Sequence, residues 1–302
     1  MKNVLKLLNI IFQHPLNTNN KLLALFRFLS FNLKKVTNKK RVIFNWVEDA
    51  KLIFDNSKIN NLSQRQIKFN YYLGLAEYEE MAFLIHALKK DEVFVDCGAN
   101  LGLYTILASK VIGANSISFE PHPDTVKKLF DQLEINDLKD KVKIISKALG
   151  DRIGSVRFSN DKDALRRKVL DNEKKLENFI DVQMTTLDSE LENLAQNFIL
   201  KMDLEGFEFK ALEGARNILI KKNLKAIIIE NNQTADNNLV HKILSEFNFF
   251  RIEYFPKNRQ IKLSKNNLDK KLNHIYIKDI DIIQKDCVSS KKYKIYTANK
   301  EI

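Results

Sequence analysis

Four carboxylates stand where the chain could do chemistry. Asp96, Glu120, Asp203 and Glu230 each end a short apolar run, at 93–96, 116–120, 198–203 and 226–230. One acid after a strand is an ordinary helix cap. Four at strand ends gather negative charge on one rim of a sheet, where a cationic or hydroxyl-rich ligand would be held. The first acid opens Asp96-Cys-Gly-Ala-Asn-Leu-Gly102, a strand that passes through a glycine turn into an amphipathic helix. Its glycines, Gly98 and Gly102, are spaced G-x-x-x-G rather than the G-x-G-x-x-G of a dinucleotide site.

A carboxylate in that mouth repels a pyrophosphate and attracts a ligand that is positive there. S-adenosyl-L-methionine fits, with an ammonium, a sulfonium and a ribose but no phosphate. A nicotinamide cofactor is the alternative, disfavoured by Asp96 and by the missing glycine pattern. The expected cofactor contacts are Asp96, Gly98, Ala99 and Asn100 in the turn, and Tyr104 and Thr105 one turn into the helix. Glu120 stands where a ribose hydroxyl pair is held, and Pro121 and His122 follow it, with prolines on both sides fixing the imidazole either against the adenine edge or in ordinary loop packing. The plainer reading is that Asp96 caps the helix and the glycines make a tight turn.

The segment Lys201-Met-Asp-Leu-Glu-Gly-Phe-Glu208 is equally dense. Strand alternation puts Lys201 and Asp203 on one side, close enough to pair, while Glu205 and Glu208 lie on the turn beyond. A structural ion pair followed by acids at a helix N-terminus would look the same. For catalysis, methyl transfer from a sulfonium needs in-line alignment, and an alcohol acceptor also needs something to take its proton. Asp203 or Glu205 is the candidate proton acceptor, and Lys201 orients the acceptor or holds the carboxylate. A divalent ion across Asp203, Glu205 and Glu208 is conceivable, but no histidine joins them and no metal is expected.

The elements that must position these groups alternate. Strands at 93–96, 116–120, 142–148, 198–203, 226–230, 249–255 and 274–278, with helices at 103–112, 124–136 and 238–247, predict an α/β fold. Its sheet has seven mostly parallel strands, with right-handed crossovers and helices on both faces. Alternating stretches at 155–158 and 181–186 read as a hairpin-like insertion around a mobile charged loop, 161–177. A loop entering one long helix over 71–88 could close a side of the cofactor cleft. The polar stretch 256–271 reads as a loop, and the basic tail after Ile283 as poorly ordered. The division is a basic N-terminal helical extension (1–90), a cofactor-binding domain (91–280) and a basic C-terminal tail (281–302).

With 302 residues, 44% hydrophobic and 29% charged, the chain can bury a sizeable core. Cys97 and Cys287 lie too far apart in sequence to suggest a disulfide framework or a zinc site, and a reducing cytoplasm is the simplest compartment. The net charge of +12 is concentrated at the ends: residues 1–50 and 257–302 carry +7 each, which leaves −2 for 51–256. That middle argues against nucleic acid as a partner. The basic ends could touch the inner face of a membrane, although packing of the N-terminal helices on the catalytic domain, or on a second copy in a homo-oligomer, is the favoured reading. No apolar run is long enough to span a bilayer.

The same motifs carry a family resemblance. Asp96-Cys-Gly-Ala-Asn-Leu-Gly-Leu-Tyr-Thr105, Phe119-Glu-Pro-His-Pro123, Ala148-Leu-Gly-Asp151, Thr186-Leu-Asp188, Lys201 to Glu208 and Ile229-Glu230 resemble, in order and spacing, the FkbM-type S-adenosylmethionine-dependent methyltransferases. The resemblance runs from about residue 79 to 278. It implies a class I methyltransferase (Rossmann-like) fold, cofactor roles for Asp96, Gly98, Asn100 and Glu120, and O-methylation of a hydroxyl on a saccharide, glycolipid or secondary metabolite. Cys97 stands where the family usually has an aliphatic residue. Lys147 and Ala148 stand where many class I enzymes place an acid for the adenine amine. A non-catalytic scaffold gripping a membrane or RNA through its basic ends is the other reading, opposed by the intact motifs at both Asp96 and Asp203.

Overall fold

The computed structural model describes residues 2–36, 41–55, 62–160, 169, 179–231, 236–264 and 271–302. The chain begins with helices α1 (Lys2–Gln13) and α2 (Lys21–Val36), a hairpin of β1 (Arg41–Asn45) and β2 (Lys51–Asp55), then α3 (Leu62–Leu73) and α4 (Tyr78–Ala87). The alternating region follows with β3 (Val93–Cys97), α5 (Leu103–Ile106), which continues as a π-helical segment to Ile112, β4 (Asn115–Phe119), α6 (Pro123–Glu134) and β5 (Val142–Ile145). Next come three short strands, β6 (Ala148–Leu149), β7 (Gly154–Ser159) and β8 (Phe179–Thr185), and α7 (Leu187–Leu191). The second half holds β9 (Phe198–Met202), α8 (Glu208–Glu213), α9 (Arg216–Ile220), β10 (Leu224–Glu230) and α10 (Asp236–Glu246). It closes with β11 (Phe250–Phe255), β12 (Gln260–Leu263), β13 (Asn273–Ile277), α11 (Ile280–Ser289), β14 (Lys294–Ile295) and β15 (Lys300–Glu301).

The main sheet runs β12-β11-β13-β10-β9-β3-β4-β5. The five strands from β10 to β5 are mutually parallel, β13 is antiparallel to β10, and β11 and β12 extend the sheet as antiparallel pairs. This is a Rossmann-like α/β fold with eight strands rather than the expected seven. The extra strand, β12, lies in the stretch expected to be a loop, and its register with β11 pairs Ile252 with Leu263 and Tyr254 with Ile261.

Period-two alternation divides the strand residues between two cores. Val93, Val95, Cys97, Phe198, Leu200, Met202, Ile227 and Ile229 pack with α7 to α10 on one face. Phe94, Ile199, Ala226 and Ile228 pack on the other face with α4, α5 and the N-terminal helices, which supply Ile11, Ala24 and Phe31 to the same cluster. Charge is closed off at the amino ends of the strands. Lys225, itself buried, reaches Glu92 Oε1 and Asp286 Oδ2, both at 2.7 Å, and the Ala87 carbonyl at 3.1 Å.

Several expectations are corrected. In the stretch 71–88, read as a loop entering a long helix, the loop is confined to 74–77, because α3 runs through Leu73, and the helix it enters is α4, only Tyr78–Ala87. The expected strand 142–148 breaks after Ile145, and Ala148–Leu149 joins β8 and β7 in a separate three-stranded sheet. Within that sheet β7 and β8 form the expected antiparallel hairpin. The intervening charged loop, 161–177, lies outside the described residues apart from Val169, which bridges to Phe158.

The tail is ordered by contacts with the N-terminal hairpin. Ile295 bridges Val47, the Tyr296 N–H donates to the Trp46 carbonyl at 2.8 Å, and the Arg27 guanidinium donates to the Thr297 carbonyl. Trp46, fully buried, donates its indole N–H to the Gly74 carbonyl. Ile295 is 0% exposed, so Ile295→Ala should cost about 2–5 kcal/mol, read as a lower urea midpoint at unchanged slope. A loose tail would tolerate the change within about 0.5 kcal/mol.

Candidate active site

The polar groups of the sheet collect on one face at the carboxyl ends of its strands. On β3, Asp96 shares the face of Phe94; on β9, Lys201 shares the face of Ile199; and the two are direct neighbours in the β3–β9 register. Chain order reverses between these strands, since β3 continues outward to β4 and β9 to β10. That is the switch point at which open α/β sheets hold ligands.

Lys201 is the cation at the floor. It is 4% exposed, its Nζ lies 2.9 Å from Asp203 Oδ2, and it sits over the Tyr104 ring at 4.8 Å from the centroid. The Tyr104 hydroxyl donates to Glu77 Oε2 at 2.5 Å, which brings in a carboxyl group from the turn before α4. Asp96 Oδ2 accepts from the Thr105 hydroxyl at 2.6 Å, and Thr105 Oγ1 meets Ser118 Oγ at 2.8 Å.

Burial works against the Lys201 ammonium, but Asp203, Glu77 and Asp96 outweigh it and hold the proton more tightly than an ordinary lysine does. Burial raises the pKa of Asp96 and of Glu77, with Lys201 pulling each of them back. Glu230 feels burial first and then the charges of Asp203, Glu205 and Glu208, which together push its carboxyl up to about 9 against the pull of Lys201. It is neutral at pH 7. Its Oε2 is buried without a hydrogen-bond partner among the described residues.

The glycine turn is held against β9 and β4. The Gly98 and Ala99 N–H groups donate to the Phe119 carbonyl at 3.0 and 2.9 Å, and the Asp203 N–H donates to the Cys97 carbonyl at 3.0 Å. Gly98 has φ +85°, and a Cβ there would fall 2.0 Å from the Asp203 carbonyl oxygen. Glu120 clamps the turn from the side: its Oε2 accepts from the Asn100 N–H at 3.1 Å and its Oε1 from the His122 N–H at 2.9 Å. Asn100 Oδ1 is buried with no hydrogen-bond partner among the described residues.

These groups surround an open cleft with about 1000 Å³ of empty space. Asp96, Gly98, Ala99, Asn100 and Tyr104 line it from the turn, Glu120 and Pro121 from the end of β4, and Lys201, Asp203 and Glu205 from β9 and beyond. Three expected participants stand back from it. Thr105, fully buried, supports Asp96 from behind. His122 caps α6, accepting the Asp124 N–H on Nδ1 at 3.2 Å, and its Nε2 meets Asn160 Oδ1 at 3.0 Å. Glu230, the fourth acid of the expected rim, is not on the cleft wall, although it is near enough to feel Asp203 and Glu205. Glu208 turns its Oε1 to the Leu204 and Gly206 N–H groups and closes the turn that carries Glu205.

Other wall residues were not singled out by sequence. Gln66 and Asn70 of α3, Glu77, and Met81 of α4 form the side wall, where only a generic closing helix was expected. Phe158 of β7 and Phe207 add aromatic surface. A polar residue on a helix carries no mark of which cleft it faces until the helix is docked.

Residues 96–257 match the family model described as the methyltransferase FkbM domain. A comparison with curated proteins gives no match. Similar solved structures include the methyltransferase FkbM from Methylobacillus flagellatus KT, 16% identical, covering 71% of this chain and 54% of that one at a TM-score of 0.45. This chain therefore spans about half the length of that protein. Others are precorrin-6y C5,15-methyltransferase from Geobacter metallireducens GS-15 (12% identical, 67% and 88% covered, TM-score 0.39) and M. jannaschii TYW2 in complex with AdoMet (12% identical, 79% and 85% covered, TM-score 0.40).

Two measurements probe this geometry. Gly206 also has a positive φ, +98°, but a Cβ there would meet nothing within 4 Å. Gly98→Ala should therefore destabilise by about 1–3 kcal/mol more than Gly206→Ala in urea unfolding, and equal costs would remove the steric argument. For Glu230, a folded-state pKa near 9 against an ordinary 4.5 means that its contribution is fully present below the lower value and lost as pH rises through the upper one. Glu230→Gln stays neutral, so its melting temperature should gain on the parent's from about pH 5 upward, reaching at least about 2–4 °C near pH 9.

Proposed function

This chain belongs to the family of FkbM-domain methyltransferases, and on that premise we propose that it moves a methyl group from S-adenosylmethionine to a hydroxyl of a saccharide, glycolipid or secondary metabolite. The observation that carries the reading is the charge imbalance of the cleft. Among the described residues five acidic side chains line it, Glu77, Asp96, Glu120, Asp203 and Glu205, against two lysines, and one of those, Lys147, is already paired with Glu190 at 2.8 Å. A ligand bearing positive charge offsets that excess.

The residues present fit this cofactor. Asn100 Oδ1, buried and unpartnered among the described residues, offers an acceptor to an N–H group at the glycine turn, beside the Asp96 carboxyl. Asp96 and Asn100 would hold the ammonium, and Glu120 the ribose hydroxyls. When bound, S-adenosylmethionine supplies a methyl group already activated on a sulfonium.

What remains for the protein is to align the acceptor and take its proton. Asp203 and Glu205 line the same cleft, and an alcohol nucleophile needs such a carboxylate within reach. Lys201 fixes Asp203 through the 2.9 Å ion pair and so sets the direction of its free oxygen. Glu230 stands back from the cleft wall, and burial pushes its carboxyl up to about 9, so the role of base falls to Asp203 or Glu205. Apolar wall residues such as Met81, Leu103 and Phe207 exclude water from the reacting groups.

Titration calorimetry with S-adenosylmethionine tests the reading. Saturable binding is expected in the parent, weakened on the order of tenfold to a hundredfold by Glu120→Gln, because each lost hydrogen bond to a charged acceptor is worth about 1.5–3 kcal/mol. Asp203→Asn should bind the donor within about threefold of the parent while labelled-methyl transfer to hydroxyl acceptors falls about 10²–10⁴-fold. A parent that binds no S-adenosylmethionine sinks the proposal.

A further inference from the structure

Helix α2 presents apolar residues in two opposite directions. Its inward side is satisfied: Ala24 and Phe31 are 0% and 1% exposed, and Phe31 packs on Tyr71 and Tyr72 of α3 with ring centroids 5.0 and 5.4 Å away. Leu22, Phe26, Leu29 and Leu33 recur at i, i+4, i+7 and i+11, one stripe along the outer side. They are 81%, 67%, 50% and 67% exposed. Helix α1, which packs against α2, adds Val4, Leu5 and Ile10 at 48%, 62% and 44%. Apolar side chains scattered singly over a surface need no explanation, but a continuous stripe on two neighbouring helices marks an interaction site.

The charge around the stripe identifies what covers it. Residues 2–36 contain six Lys or Arg and no Asp or Glu. Arg27 is buried at the inner side, while Lys6 and Lys21 are exposed on the helices that carry the stripe. Pro15 and Leu16, between α1 and α2, border a hollow walled by Lys257, Arg259, Lys291, Lys292 and Lys300, so the basic C-terminal segment meets the helical pair. A second copy docked on the same face would bring lysine to lysine with no acid on either pair of helices to meet them. Among the described residues no helix is long and apolar enough to cross a membrane, so the stripe can only lie along a surface.

We propose that α1 and α2 dock this enzyme on an anionic lipid surface, with the outer stripe among the acyl chains and the lysines at the headgroups. Helix α3 packs against α2 and supplies Gln66 and Asn70 to the cleft wall, which holds the cleft one helix away from the lipid. The docking stands whether or not the proposed reaction does, because none of these surface residues touches the cleft.

Co-sedimentation of the full chain with vesicles tests it, using phosphatidylcholine alone and with about 30 mol % phosphatidylglycerol. The parent should pellet with the anionic vesicles and release as salt rises from about 0.1 M to about 1 M. Leu22→Glu/Phe26→Glu should lower the vesicle partition at least about tenfold while leaving S-adenosylmethionine binding and the melting temperature at parent values. Lys6→Glu/Lys21→Glu should remove most of the salt-sensitive part. Failure of the parent to bind anionic vesicles overturns the proposal, as does equal binding to neutral ones. A concentration-dependent dimer that Leu22→Glu/Phe26→Glu splits, with no vesicle binding, would give the face to a second copy and also overturn it.

Discussion

One buried ammonium organises the carboxyl end of the sheet. Lys201 lies beside Asp96 in the strand register, 2.9 Å from Asp203, and over the ring of the tyrosine that holds Glu77. Taking a lysine out of water is unfavourable unless charges replace the lost solvent, and here the acids of three separate elements do so. The reverse also holds. Without Lys201 the carboxyls of Asp96 and Glu77, which burial already pushes up, would lose the cation that pulls them back. The strand order that places β9 next to β3 is therefore both a packing solution and the condition for a charged cleft.

The two ends of the same sheet handle charge differently. At the amino ends, Lys225 meets Glu92 and Asp286, and Lys89 meets Asp286 as well, so within that network two cations answer two acids. At the carboxyl ends the acids exceed the bases among the described residues, and the surplus is turned into open space. A closed network serves the fold and an unbalanced one serves a ligand. The supports follow the same division: Thr105 and Ser118 spend their hydroxyls behind Asp96, and His122 spends both ring nitrogens on the α6 cap and on Asn160.

Much of this was legible from the residues. Four apolar runs that each end in an acid put Asp96, Glu120 and Asp203 at the rim, where they line the cleft, because a strand residue's face follows from its parity and its rim from its position in the run. The turn at Gly98 was legible for the same reason. Glu230 obeyed the parity rule but stands back from the cleft, a matter of depth that parity does not encode. Glu77, Gln66 and Asn70 escaped notice because their place depends on how α3 and α4 dock against β3, a long-range property. Strand β12 and the tail strands were missed because four polar-mixed residues, or two, give too short a pattern to separate from a loop.

The pairing of Arg27 with Thr297 spans 270 residues of chain, and Trp46 likewise waits for Ile295 and Tyr296. At about 5–20 residues per second, a ribosome needs roughly 15–50 s to deliver that much chain. Throughout this interval the α2 guanidinium lacks the Thr297 backbone acceptor, although α3, the helix on which Phe31 packs, emerges early. A chaperone or a bilayer that meets the nascent polypeptide before α3 emerges thus meets both apolar sides of α2 at once, the inner one not yet claimed by the core.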